Sequence, residues 1–248
     1  MTSVNQAVSA FWLMLLAVSL QAADEQALYE AVVASPDRPA ADRGRDESRH
    51  PVEILEFIEL KPGMKVVELG AGGGYTTELI ARAVGPDGRI FAQGLQASRV
   101  SDDRLPNVTA LEKHMLWEMR DKVHDAGLED GQVDQVLIFF ALHDMYLNER
   151  IDKQRLYRDI FKLLKPGGHL VILDNAGEAD SGLRDTGATH RIGEDFVRQE
   201  IEQAGFEFSG ETDVLRNPQD KLDEPWNRPA AYRQPGFQDR FAYRFVKP

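Results

Sequence analysis

The chain has 248 residues, enough for one α/β domain with extensions. Its net charge is −12 and no basic stripe with interleaved aromatics occurs, which argues against a nucleic-acid partner. It has no cysteine, which excludes disulfides, cysteine metal sites and a thiol nucleophile.

Residues 1–23 carry no charged side chain, and Ala10 to Leu20 is a compact apolar run followed by Gln21-Ala22-Ala23-Asp24. This pattern predicts a secretory signal cleaved after Ala22 or Ala23, although no Lys or Arg precedes the run. The run is short for a membrane span, so no stable span is expected after processing. The expected location is periplasmic or secreted, with a membrane-anchored or cytoplasmic protein as the alternative. Residues 24–50 read as an N-terminal extension. Ala27, Leu28, Ala31 and Val32 have helical spacing, and beyond Ser35 four arginines (Arg38, Arg43, Arg45, Arg49) interleave with Asp37, Asp42, Asp46 and Glu47. Such a mix is either a solvated linker or a lid, since arginine offers planar bidentate contacts to carboxylates.

The main domain is expected over residues 51–248. Pro51 suits the first turn of a short helix whose inward face is Ile54, Leu55 and Ile58. Val66, Val67 and Leu69 predict a strand covered on both faces. Glu68 sits near its carboxyl end, where α/β folds bind ligands. Gly70, Gly72, Gly73 and Gly74 then allow a sharp turn and close approach of a ligand to bare main chain. Leu79, Ile80, Ala83 and Val84 lie on one side of the helix that follows. The free N–H groups and positive dipole end of that helix face the turn.

Gly85-Pro86-Asp87-Gly88 is a turn, and Arg89–Gln93 and Asn107–Glu112 predict the second and third strands. Val133–Ala141 predicts a fourth, ending in a loop at Leu142–Tyr146. A helix is expected over Asp152–Leu164, broken by Lys165-Pro166-Gly167-Gly168 ahead of a fifth strand at His169–Asp174. After a polar loop, His190-Arg191-Ile192 is expected to open a helix with Phe196, Val197 and Ile201 inward and Gly205 as its stop. Phe206 leads into a sixth strand, and Phe241, Tyr243 and Phe245 alternate with Arg240, Ala242 and Arg244 in a last one.

The order Glu68-x-Gly70-x-Gly72-x-Gly74 resembles motif I of the class I S-adenosylmethionine (SAM) dependent methyltransferases. Leu164-Lys165-Pro166-Gly167-Gly168 before an apolar strand is a second resemblance to that family. His143-Asp144, His190-Arg191-Ile192, Leu215 to Pro218 and Asp239-Arg240-Phe241 resemble a smaller group of predicted bacterial methyltransferases that often carry an export signal. The resemblance implies an α/β, Rossmann-like, doubly wound sheet of seven strands with an antiparallel last strand. It implies SAM as cofactor, cradled by Gly70, Ala71, Gly72 and Gly73, with Glu68 helping to orient its amino group. Gln93 stands where the family usually has an acid for the ribose hydroxyls; it offers one carbonyl acceptor and no charge. Glu118 or Asp130 would lie near the adenine. The implied activity is methyl transfer to an unidentified small-molecule acceptor.

A sulfonium makes the methyl group's leaving group good already, so the protein must chiefly align the acceptor and exclude water. A base is needed only where the acceptor must lose a proton. His143, Asp144 and His190 are the catalytic candidates, His143 first because imidazole titrates near neutrality. Arg191 could bind a substrate carboxylate or pair with Asp174 or Glu194. A magnesium site on Asp144, Asp174 and Asn175, or a softer one on His143, Asp144 and His190, is a secondary reading; no metal is expected. Two alternatives to methyl transfer are a nicotinamide-dinucleotide oxidoreductase, which Tyr75 and Gln93 oppose, and a non-catalytic binding protein that has kept the fold.

Overall fold

The computed structural model describes residues 23–96, 104–111, 119–225 and 237–248. Nearly all of the expected signal lies outside the described residues, as does Glu118.

The extension forms helix α1 (residues 23–33) and two single-turn helices, α2 (Ala40–Arg43) and α3 (Asp46–Arg49), ahead of α4 (Pro51–Ile58). Tyr29 of α1 is buried and its hydroxyl donates to Leu60 O at 2.8 Å, which ties the extension to the end of α4. The strands are β1 (Lys65–Leu69), β2 (Arg89–Gln93), β3 (Val108–Leu111), β4 (Val133–Phe139), β5 (Leu164–Asn175), β6 (Glu207–Thr212) and β7 (Arg240–Val246). Between them run α5 (Tyr75–Val84), α6 (Met119–Asp125), α7 (Leu142–Leu147), α8 (Lys153–Leu163), α9 (Thr186–Thr189) and α10 (Glu194–Gln203).

The seven strands form one sheet in the order β3-β2-β1-β4-β5-β7-β6. β1 to β5 are mutually parallel, and β7 runs antiparallel to both β5 and β6. The expected seven-stranded sheet with a reversed last strand is therefore present. The chain winds outward from β1 through β2 to β3, then returns to place β4 on the other side of β1. That reversal makes β1 and β4 the switch point, where open α/β sheets bind ligands.

Period-two alternation divides the core between the two faces of the sheet. Val66, Leu137 and Val171 pack with Ile54, Leu55 and Ile80 on the face covered by α1, α4 and α5. Val67, Val136 and Leu170 pack with Met145, Ile160 and Val197 on the other. Each such fully buried aliphatic side chain contributes about 1.5–3 kcal/mol. One buried polar contact fixes the layers: Gln135 of β4 donates through Nε2 to Ile58 O at 2.7 Å, at the end of α4.

Three expectations need correction. Leu142–Tyr146 is not a loop but lies in helix α7. That helix is too short to show periodicity in sequence, and it is stable because Leu142 and Met145, three residues apart, bury together against β4. His190-Arg191-Ile192 does not open α10, which starts at Glu194. His190 instead ends α9 in a left-handed conformation (φ 53°), and Ile192 forms a bridge with Ala176 beyond β5. β5 begins at Leu164 rather than His169, because Leu164 pairs with Val133 before the register shifts at Gln135.

Candidate active site

The glycine turn after β1 is left-handed at Gly70 (φ 77°), Gly72 (φ 52°) and Gly74 (φ 76°), conformations that side chains resist. The glycines serve different ends. A Cβ at Gly70 would lie 2.4 Å from Ala141 Cβ, so this glycine lets the turn sit against the end of β4. A Cβ at Gly72 would meet nothing closer than Gly70 O at 3.8 Å, so the main chain there faces open space. Gly74 is the N-cap of α5 without a side-chain cap, which leaves the helix start bare.

Gln93 braces this turn. Its main-chain carbonyl accepts from Ala71 N at 2.9 Å and its side-chain Oε1 accepts from Gly70 N at 3.0 Å. The parallel register that sets Leu69 beside Gln93 puts it there. The carbonyl expected to face a ribose thus already carries one hydrogen bond, to the turn itself.

Glu68 is 3 % exposed and points into the β1–α5 junction, where Thr77 Oγ1 donates to its Oε2 at 2.5 Å. Burial pushes its carboxyl up to about 7, against the smaller opposing effect of the Thr77 bond. Among the described residues no cation pairs with it. The sequence pattern does not single out Thr77, although a polar residue on the inward side of an apolar helix is a usable signal.

The extension is not a solvated linker; it is packed over the start of α5. Arg38, 2 % exposed, donates to both Asp46 oxygens at 2.7 Å and to Val33 O at 2.6 Å. Asp46 also accepts from Tyr75 OH at 2.7 Å. The Arg49 guanidinium lies 4.5 Å from the Tyr75 ring centroid and 5.5 Å from that of Phe140. Beneath these groups is an apolar cavity lined by Ile54, Leu55, Tyr75, Phe139, Phe140 and Leu215. Phe140 closes β4 at φ 56°, a strained conformation for an aromatic residue.

A second cluster forms where β4 and β5 end. His143 of α7 is fully buried, and its Nδ1 lies 2.7 Å from Asp174 Oδ1 at the end of β5. Asp174 also accepts from His143 N at 3.0 Å and from Asn175 N at 2.8 Å. The carboxylate fixes the proton on Nδ1 and turns Nε2 toward Asp144, whose Oδ1 is 3.4 Å away. The same Asp144 oxygen is 3.5 Å from His190 Nδ1. The His143 and His190 rings meet edge to face, 5.8 Å apart. Burial alone would lower the His143 pKa, but the Asp174 hydrogen bond and the charges of Asp174 and Asp144 outweigh it, and the net shift is upward.

The three catalytic candidates are therefore together. Asp174 and Asn175 do not sit as metal ligands: Asp174 is enclosed by three N–H donors and Asn175 is 2 % exposed. Arg191 pairs with neither Asp174 nor Glu194. It is 2 % exposed and binds Asp220 at 2.8 Å, Glu224 O at 3.0 Å and Ala176 O at 3.2 Å, holding segment 220–224 to the end of β5. Glu194 pairs with Arg216 and accepts from Tyr243 OH at 2.7 Å. Asp130 lies beyond α6 on the surface, paired with Arg120 and 3.0 Å from His124.

This strand order, with a bare glycine turn after β1 and a reversed β7, is the fold of the class I SAM-dependent methyltransferases. A family model described as protein-L-isoaspartate(D-aspartate) O-methyltransferase matches residues 48–116, which include the glycine turn. Among curated relatives the chain is similar to an arsenite methyltransferase of Halobacterium salinarum, 28% identical over 118 residues, 48% of this chain and 29% of that one. It is also similar to the ubiquinone/menaquinone biosynthesis C-methyltransferase UbiE of Pasteurella multocida, 29% identical over 122 residues, 48% of this chain and 43% of that one. The chain spans about half or less of the length of the curated relatives it matches first. Among solved structures, a SAM dependent methyltransferase from Aquifex aeolicus matches with a TM-score of 0.58 and 21% identity, over 87% of this chain and 97% of that one.

Proposed function

We propose that this chain transfers a methyl group from SAM to a small-molecule acceptor. The observation that carries the reading is a buried acid, Glu68, with no cation partner among the described residues, beside a glycine turn whose Gly72 faces open space at the switch point. A ligand with an ammonium group would satisfy that acid, and bare amides at a helix N-terminus suit its carboxylate. The residues present thus fit the methionine part of SAM. Glu68 would take the ammonium and Gly70 to Gly73 would lie along the chain, with Gln93 at the end of β2 beside the turn.

When bound, SAM supplies a methyl group activated by its sulfonium. The protein must hold an acceptor in line with it and keep water out. His143, Asp144 and His190 form the polar part of the same sheet edge and are assigned to the acceptor. For an acceptor that must lose a proton, His143 Nε2, aimed by Asp174, is the proton acceptor. The net charge of −12 favours a small molecule over a nucleic acid. The chain also reads as one of the group with an export signal, on the strength of its uncharged residues 1–23; among the described residues no helix is long and apolar enough to cross a membrane. Fractionation with N-terminal sequencing tests that placement: an intact N-terminus in the cytosol rejects it.

Calorimetry with SAM and with NADH tests the activity reading. Binding of SAM and not NADH is expected. Binding of NADH alone would make the protein an oxidoreductase, and SAM binding without turnover on any quinone, metalloid or prenyl acceptor would favour a non-catalytic role.

A further inference from the structure

We propose that His143, Asp144 and His190 form a binding site for a divalent transition-metal ion of the zinc type. His143 Nε2 and Asp144 Oδ1 are 3.4 Å apart, Asp144 Oδ1 and His190 Nδ1 are 3.5 Å apart, and the three ligand atoms all lie within 4.8 Å of one another. A metal about 2.0–2.2 Å from each ligand in a tetrahedral site sets ligand–ligand edges of about 3.4 Å. Two edges already have that length, and the third is at most 4.8 Å.

The surroundings match what a histidine ligand requires. Metal-bound imidazoles donate their other N–H to a carboxylate or carbonyl, which fixes the tautomer and directs the lone pair. His143 does this through Nδ1 to Asp174, and Asp174 is itself held by two main-chain amides. The side chains of Asp144 and His190 are 63 % and 33 % exposed, so the site opens toward solvent on one side and leaves a coordination position for a substrate or water. Two imidazoles and one carboxylate select zinc, iron(II), cobalt(II) or manganese(II) over magnesium and calcium, which prefer all-oxygen sets. The magnesium reading drawn from Asp144, Asp174 and Asn175 is thus replaced by a different ligand set.

A metal on Nε2 takes the lone pair that would otherwise accept a proton. The two roles at His143 are therefore exclusive. Metal binding is measured without SAM, so its failure would leave the methyl-transfer reading standing with His143 as base.

The test uses untagged protein stripped with EDTA and titrated near neutral pH with Zn²⁺ by calorimetry and with Co²⁺ by visible absorption. A single equivalent per chain is expected, with cobalt bands of low coordination number. Asp144→Ala, at an exposed position, and His190→Ala, at a half-buried one, should each weaken Zn²⁺ binding by about tenfold or more, while SAM affinity stays unchanged. Asp174→Asn should weaken it by about 10–100-fold through loss of the oriented imidazole. Substoichiometric binding, binding indifferent to both the Asp144 and His190 variants, or Mg²⁺ binding as tightly as Zn²⁺ would each overturn the proposal.

Discussion

Asp174 Oδ1 lies 2.7 Å from His143 Nδ1, and both side chains are fully closed to solvent. The residues are 31 positions apart in the chain. Parallel pairing of β4 with β5 brings their strand ends together, because Phe139 sits beside Leu173 in register. Removing one member of a buried charged pair commonly costs about 3–5 kcal/mol, since the other is left unpaired. Asp174→Asn keeps the shape and removes the charge. It should lower stability by about 2–4 kcal/mol in urea melts and abolish turnover while SAM still binds. Normal turnover would show that His143 needs no orienting acid.

Glu68 gives a pH signature. Its carboxyl is raised from 4.5 to about 7 by burial. Between those values the folded protein keeps a proton that the unfolded chain has released. The contribution of this group is therefore complete below the unfolded value, is lost as pH climbs through the folded one, and is flat beyond. The loss is about 3 kcal/mol. Glu68→Gln should flatten the stability profile over that window; an unchanged slope would mean that other groups produce it.

The same residue links pH to cofactor binding. An ammonium placed against Glu68 favours its ionised form. SAM binding at about pH 6 should thus expel a proton, and at about pH 9 none from this group. Calorimetry in buffers of different ionisation enthalpy measures this directly. No proton release at the lower pH would separate Glu68 from the ammonium.

Gly70 and Gly72 should respond oppositely to substitution. Gly70→Ala drives a Cβ into Ala141 at 2.4 Å and should destabilise the fold by about 2–4 kcal/mol. Gly72→Val carries mainly the left-handed strain, about 1–2 kcal/mol. It should leave a folded protein that has lost SAM affinity. If Gly72→Val binds SAM normally, the cofactor does not lie along this turn.

Arg191→Ala separates structure from chemistry. Asp220, 4 % exposed at its side chain, would lose its ion partner. Unfolding at about 3–5 kcal/mol lower stability is expected, with KM for the acceptor unchanged in the folded fraction. A selective rise in KM would return Arg191 to substrate binding.

Much of this architecture is legible one segment at a time. Strand and helix order follow from short-range periodicity, and the glycine turn follows from backbone chemistry that only glycine tolerates. Glu68 is conspicuous as a charge in an apolar strand. Helix α7 was not legible, because six residues contain too few turns to display a period and its stability comes from Leu142 and Met145 meeting distant strands. The partners of Arg191 are not legible for a related reason: Asp220 and Glu224 reach it through a long loop whose path no local pattern encodes.

The amino-acid order alone settled the class of sheet, the place of the glycine turn and the identity of the polar residues near it, since each depends on contacts within a few positions along the chain. Which of those residues touch was decided by folding. The adjacency of β4 and β5 set Asp174 behind His143, and the left-handed end of α9 swung His190 across to Asp144. Such pairings arise from strand register and loop closure, which act between positions far apart, so a cluster of ordinary histidines and acids became a site only in three dimensions.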